Sequence, residues 1–343
     1  MRLAALLLFL LVPGTSLADT ITIAAVGDIM LGGRGAAVLA DRGVDYPFLG
    51  AATLLKKADL SIANLEAPLT RRGTEFRDKR FRFRAAPQIA PALKRAGLSV
   101  VTLANNHILD FGAKGLADTL FHLSSANIAY AGAGMNLAEA RRPAIATAKG
   151  KTVGVLAYSL TLPSEFFAAP GRAGTAPGYL RHVCDDIGRL RGAVDHVVVS
   201  FHWGGELLAT PRAYQVAMAR AAIEAGADVI LGHHPHVLQG IERYKGGLIL
   251  YSLGNFAFAT PSTRSDRSVI ALITLGHGVE ELELVPLNVL NREVRLQPAV
   301  LDGKRGKRVI DYLNSLSAGM GTNIVSEGSR YVMRMGTGTI AAR

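Results

Sequence analysis

Ala227-Asp228-Val229-Ile230-Leu231-Gly232-His233-His234-Pro235-His236 joins an apolar run to three imidazoles within four residues. The first five residues read as a buried strand. Side chains two apart in an extended chain project from the same side. His234 and His236 therefore aim at one point, which suits a pair of metal ligands. Gly232 lets the backbone turn at the strand end, and Pro235 stiffens the spacer and biases His234 towards an extended conformation. The plainer alternative is a surface turn rich in histidine, and the rest of the chain decides between them.

The same design recurs upstream. Thr20–Val26 is a buried-strand pattern running into Gly27-Asp28-Ile29-Met30. Asp59–Ala63 runs into Asn64-Leu65-Glu66-Ala67-Pro68, where Asn64 and Glu66 again stand two apart. Leu98–Leu103 ends in Ala104-Asn105-Asn106-His107, with Asp110 three residues on, spaced to orient the imidazole. Val194–Phe201 ends in His202-Trp203-Gly204-Gly205-Glu206. Singly, each is ordinary turn chemistry: a capping Asp, a satisfied His, a polar loop. Five polar clusters at five strand ends are a different matter, because open α/β sheets place their chemistry at the carboxyl ends of strands. Mixed Asp, Glu, Asn and His donors suit divalent Mn, Fe or Zn. They are too many for one four-ligand ion and about enough for two ions sharing a carboxylate, a pair that clamps phosphoryl groups and generates hydroxide near neutral pH.

The 343 residues carry a formal charge of +11 and a single cysteine, Cys184. No intramolecular disulfide is possible, and Cys184 reads as a small packed residue in a helix. Arg2, the apolar run Leu3–Val12, Pro13-Gly14 and Ser16-Leu17-Ala18 form a basic region, an h-region and a small-x-small cleavage site. Residues 1–18 are thus expected to be a signal peptide, and the chain to be exported to a periplasmic or extracellular space, with no membrane span once the signal is removed. The positive balance favours anionic small molecules or acidic polymers, and no nucleic-acid motif is visible.

Arg71 to Arg84 is the most basic segment. Its Phe81-Arg82-Phe83-Arg84 end alternates like a half-buried strand with a cationic face. Such a face is either a solvated sheet edge or a cationic wall for an anionic substrate, which makes Arg82 and Arg84 candidates for substrate contact. Tyr46–Lys57 reads as one helix, residues 143–158 as a hairpin, and residues 160–178, rich in Pro and Gly, as a long loop or lid. Alternating strands follow between Val237 and Val289, then a basic helical element over 302–316.

Taken together, Gly-Asp-Ile-Met, Asn-Leu-Glu-Ala-Pro, Ala-Asn-Asn-His-Ile-Leu-Asp-Phe-Gly, His-Trp-Gly-Gly-Glu, Gly-His-His-Pro-His-Val and Ser-Leu-Gly-Asn-Phe resemble, in order over residues 22–260, the CapA (capsule synthesis, PGA_cap) family of the calcineurin-like metallophosphoesterase superfamily. The resemblance implies a four-layer α/β/β/α sandwich over residues 19–290, followed by a basic extension at 291–343. It implies that Asp28 and His236 hold a first metal, that Glu66 bridges, and that Asn106, His202 and His234 complete a second site. His107, oriented by Asp110, would act as general acid or electrostatic stabiliser, with Asn64, His233 and Asn255 in support. The first motif lacks the superfamily's usual Asp-x-His, since Asp28 is followed by Ile29-Met30, and Glu66 stands where Asp is usual. The first metal site is accordingly expected to be the weaker. Two functions are compatible with the resemblance: a phosphoesterase-type hydrolase of an anionic envelope substrate, and an accessory protein of the poly-γ-glutamate or capsular polymer synthesis and export machinery whose site is not catalytic.

Overall fold

The structure, a computed structural model, describes residues 20–335. The expected signal peptide and the last residues around Gly338 lie outside them. Two sheets stack face to face. The first runs, from edge to edge, Val325–Glu327, Arg330–Arg334, Val279–Asn288, Arg267–Leu275, Ile21–Met30, Leu60–Leu65, Val100–Thr102 and Ala129–Ala131, with Asn255–Phe258 pairing in parallel to the far end of Ile21–Met30. The second runs Ile241–Tyr244, Gly247–Leu250, Val229–His233, His196–His202, Lys151–Ser159 and Ala144–Ala148.

Side-chain alternation builds the layers. Ile21, Ile23, Leu60 and Ile62 meet Val153, Val155, Val198, Val229 and Leu231 between the sheets. The opposite faces are covered by helices. Ile89–Ala96 and Gly112–Ser125 bury Leu93, Leu116 and Leu123 against the first sheet. Leu180–Arg191 and Ala213–Glu224 bury Val183, Ile187 and Ile223 against the second. Each such large side chain contributes about 1.5–3 kcal/mol on burial. The result is the expected four-layer α/β/β/α sandwich. Residues beyond 290 add to it: Arg330–Arg334 pairs with Val279–Asn288, and the helix Gly303–Leu316 packs Val309, Ile310 and Leu313 into the inter-sheet layer.

Three local expectations change. Phe81–Arg84 is not a strand but part of an irregular stretch over 71–84. Tyr46–Lys57 breaks around Gly50 into a 3-10 turn and the helix Ala52–Lys57, and a Cβ at Gly50 would lie 2.5 Å from the Pro298 carbonyl oxygen. The strand Val229–His233 stops before His234. His234 and His236 have φ of 93° and 58°. The extended geometry inferred for them, including the bias from Pro235, is therefore replaced by a left-handed turn.

Candidate metal centre

Strand parity explains which residues face the gap between the sheets. Asn64 and Glu66 follow the parity of Leu60 and Ile62, His202 that of Val198, and His233 that of Val229 and Leu231. Asp28 follows the wrong parity: Ala24 and Val26 face the helices. The pairing of Ile21–Met30 with its neighbour shifts between Ala25 and Asp28, an irregularity that re-aims the carboxylate. Its Oδ1 consequently lies 3.0 Å from His233 Nδ1 and its Oδ2 3.0 Å from His236 Nδ1.

Asn64 ties the carboxylates together, its Nδ2 donating to Asp28 Oδ1 at 2.9 Å and to Glu66 Oε2 at 3.2 Å. Glu66 Oε1 is left with no hydrogen-bond partner, 3.5 Å from His202 Nε2 and 3.8 Å from His236 Nε2. Two donor triads result, Asp28–Glu66–His236 and Glu66–His202–His234, each with its ligand atoms within 4.8 Å of one another. Glu66 belongs to both. Asn106 Oδ1 joins the second at 2.8 Å from His202 Nε2, and Asn255 Oδ1 lies 3.0 Å from His236 Nδ1 beside the first. His233 is buried against Asp28, with its Nε2 unpartnered.

Burial governs the protonation of these groups. It holds His202 well below the ordinary imidazole range and takes His234 down to about 3, so both are neutral donors at pH 7. It pushes Glu66 well up. Burial opposes charge on His236 too, yet Glu66 and Asp28 draw that imidazole up to about 9. Burial alone would raise Asp28, but the hydrogen bonds and charges of His233 and His236 hold it well below the carboxylate range.

Beside the triads, His107 Nδ1 lies 2.6 Å from Asp110 Oδ2, and Phe83 covers the ring at a centroid distance of 4.6 Å. Two contributors are not evident in the sequence. Lys79 donates to Asp110 Oδ1 at 2.5 Å and to the Asn106 carbonyl, and lies 3.1 Å from His107 Nδ1. Asn105 donates from Nδ2 to Asn64 Oδ1 at 3.0 Å and to the Leu65 carbonyl at 2.8 Å, while its Oδ1 accepts from the His107 and Ile108 amides. Arg82 and Arg84, the cations singled out from the sequence, have other partners than the ligand candidates. Arg82 pairs with Glu75 at 2.9 Å and donates to the Lys79 carbonyl, and Arg84 lies over the Phe111 ring. The irregular path of 71–84 thus delivers Lys79, rather than the two arginines, to the cluster. Only its place in a basic segment could have marked it.

The sequence has relatives among known proteins. The family model for bacterial capsule synthesis protein PGA_cap matches residues 22–260. The capsule biosynthesis protein CapA of Bacillus anthracis is 35% identical over 295 residues, covering 84% of this chain and 72% of that protein. The PGA biosynthesis protein CapA of Bacillus subtilis is 32% identical over 295 residues, covering 85% and 77%. Among solved structures, the NAD nucleotidase of Haemophilus influenzae superposes with a TM-score of 0.48 at 14% identity, over 88% of this chain and 63% of that one. A 5'-nucleotidase precursor of Thermus thermophilus does so with 0.47 at 16%, over 82% and 54%. With its motifs in order and most of its length matched, the chain belongs to the bacterial capsule synthesis protein PGA_cap family.

Proposed function

We propose that this is an exported metal-dependent hydrolase acting on an anionic substrate of the cell envelope, with phosphoesterase-type chemistry at a site for two divalent ions. The observation that carries the reading is Glu66 Oε1, a buried carboxylate oxygen without a hydrogen bond, shared by two donor triads. An orphaned buried acceptor is costly unless a cation satisfies it. His234 Nδ1 is orphaned in the same cluster, and its neutral state is the one a metal requires. Asp28, Glu66 and, on release of its proton, His236 would hold one ion, and Glu66, His202, His234 and Asn106 the other. Such ions, Mn²⁺, Fe²⁺ or Zn²⁺, would polarise a phosphoryl oxygen and acidify water.

The chain's own residues do the remainder. Asp110 fixes the His107 ring through Nδ1, leaving Nε2 as the nitrogen available to substrate. An anionic group beside that nitrogen raises its proton affinity, the condition for protonating a leaving oxygen. Lys79 braces Asn106 and Asp110 together, so the ligand and the imidazole keep their spacing. A purely structural metal site needs no such imidazole. The relatives' names and the +11 charge favour a second reading, an accessory of polyglutamate or capsular polymer synthesis in which the site binds without turnover.

The two readings separate on purified protein reconstituted with Mn²⁺, Fe²⁺ or Zn²⁺. His107→Ala is expected to lower bis(p-nitrophenyl) phosphate hydrolysis by about 10²–10⁴-fold with metal content unchanged. Equal rates in both proteins, or no metal bound after reconstitution, would sink the catalytic reading. Export is tested by sequencing the mature N-terminus, expected at Asp19.

A further inference from the structure

The strand Asn255–Phe258 leads away from the metal centre. Asn255 touches His236 at one end, and the Phe258 ring lies tilted against His236 at a centroid distance of 4.5 Å. The next residue, Ala259, donates its amide to the Met30 carbonyl at 3.2 Å and forms one wall of a surface cavity of about 290 Å³. Three arginines from two distant parts of the chain converge on that cavity: Arg34, at the start of the helix Arg34–Arg42, and Arg292 and Arg295. Its apolar lining includes Val38, Leu290 and Leu296.

Two of these three charges have no local counterion among the described residues. Arg34 and Arg292 make no ion pair or hydrogen bond among the described residues. Arg295 reaches only Asp41, at 3.5 Å, a carboxylate also held by Arg42 at 3.0 Å. The wall that presents Arg295 is held in an uncommon shape, with φ of 46° at Arg295 and 76° at Leu296. Non-glycine residues adopt such angles rarely, and at a cost.

We propose that this cavity is a subsite for a carboxylate carried on a methylene stem, part of an extended polycarboxylate such as a γ-linked glutamate chain that also reaches the metal centre. The proposal rests on the reading above that the substrate is an anionic component of the cell envelope, and takes that component to be a polymer. Guanidinium forks match the planar carboxylate, two donors to two oxygens. The aliphatic lining accepts methylene groups, which a compact phosphate lacks. Along the chain the two sites are separated by one short strand, roughly 13 Å for the four residue steps from Asn255 to Ala259. A polymer can therefore bridge them where a single small anion cannot. Binding at both points would raise the effective concentration of the chain at the centre.

The test is fluorescence anisotropy on the purified full chain with labelled γ-linked oligoglutamates of increasing length, for wild type, Arg34→Gln/Arg292→Gln, and Arg181→Gln. Arg181 is an exposed arginine on the helix Leu180–Arg191 and serves as the control for general charge. Affinity is expected to rise with chain length in wild type. The double variant should bind about tenfold more weakly or worse, having lost two charge-assisted contacts. Arg181→Gln should bind as wild type, and all three proteins should hydrolyse bis(p-nitrophenyl) phosphate equally, since that probe is too small to need the cavity. Wild-type affinity in the double variant, an equal loss in Arg181→Gln, no binding of oligoglutamate by wild type, or equally potent competition by inorganic phosphate or polyphosphate would each overturn the proposal. Failure of the hydrolase reading would show separately, as absent phosphodiester turnover with oligoglutamate binding retained.

Discussion

Asn105→Ala is the substitution with the clearest arithmetic. The side chain is fully buried and makes four hydrogen bonds, two donated and two accepted. A neutral buried hydrogen bond contributes about 1 kcal/mol net, and a partner left unsatisfied costs about 1–3 kcal/mol. Alanine would strand Asn64 Oδ1, the Leu65 carbonyl and the amides of His107 and Ile108. Water entering the polar void would recover part of the loss. The expected destabilisation is therefore about 2–4 kcal/mol, below the sum of four full penalties. Asn105→Asp discriminates further: it keeps the acceptor for the two amides but turns a carboxylate oxygen towards two carbonyl oxygens, so it should be no milder than alanine. Urea unfolding followed by far-UV circular dichroism measures both, with the midpoint expected to fall at constant slope. Since Asn105 also holds Asn64, which bridges Asp28 and Glu66, metal retained after dialysis should fall in parallel. An Asn105→Ala midpoint corresponding to less than about 0.5 kcal/mol, the range of an ordinary surface change, would refute the reasoning.

Gly232→Ala should be as severe for a steric reason: a Cβ there would lie 1.9 Å from the Tyr251 carbonyl oxygen and 2.9 Å from Trp203 Nε1. About 3 kcal/mol or more, or loss of soluble protein, is expected from so large an overlap, and thermal unfolding decides it. Asp118→Asn should show a pH signature instead. Hydrogen bonds from Arg72, against burial and aided by the Thr70 hydroxyl, take Asp118 down to about 2. A carboxyl lowered in the folded state contributes stability above its unfolded value of about 3.9 and loses it as pH falls through the folded one. The stability gap between wild type and Asp118→Asn should thus be full at pH 6 and close progressively below about pH 4. A gap independent of pH between 6 and 3 would show that the carboxylate's charge is not what matters.

Much of the site was legible because each ligand candidate stands where a strongly patterned strand ends. The i, i+2 spacing placed Asn64 with Glu66 correctly, as their common contact shows. It failed for His234 and His236, because the strand ends at His233 and a left-handed turn follows. The histidine that continues the strand's inward face is His233, which the spacing argument set aside and which is buried against Asp28. Lys79 and Asn105 were hidden for another reason. The groups that Lys79 and the Asn105 Nδ2 donate to lie 27 to 41 residues away, across loops whose path no periodicity encodes. The cationic alternation of Phe81–Arg84 pointed to a strand, but without a neighbour to pair with it became a loop that turns Lys79 inward.

What brings the two halves of the centre to one place is the segment Tyr251-Ser252-Leu253-Gly254-Asn255, most of which lies in the last of the quoted motifs. On one side the Leu253 amide donates to the Gly232 carbonyl in the second sheet, and the Tyr251 carbonyl occupies the space where a side chain at Gly232 would go. On the other, the Asp28 amide donates to the Gly254 carbonyl at 3.0 Å, and that oxygen would be 2.0 Å from a Cβ on Gly27. Both glycines are therefore points of close main-chain approach, one in each sheet, to the same five residues. This contact accounts for the shift in the strand carrying Asp28: with Gly27 pressed on Gly254, the chain takes up an irregular step and Asp28 turns towards the second sheet instead of the helices. The register of a carboxylate in the first sheet is thus fixed by a segment that also buttresses the histidine turn of the second. On this argument Gly232→Ala should release metal as well as stability, even though residue 232 ligates nothing.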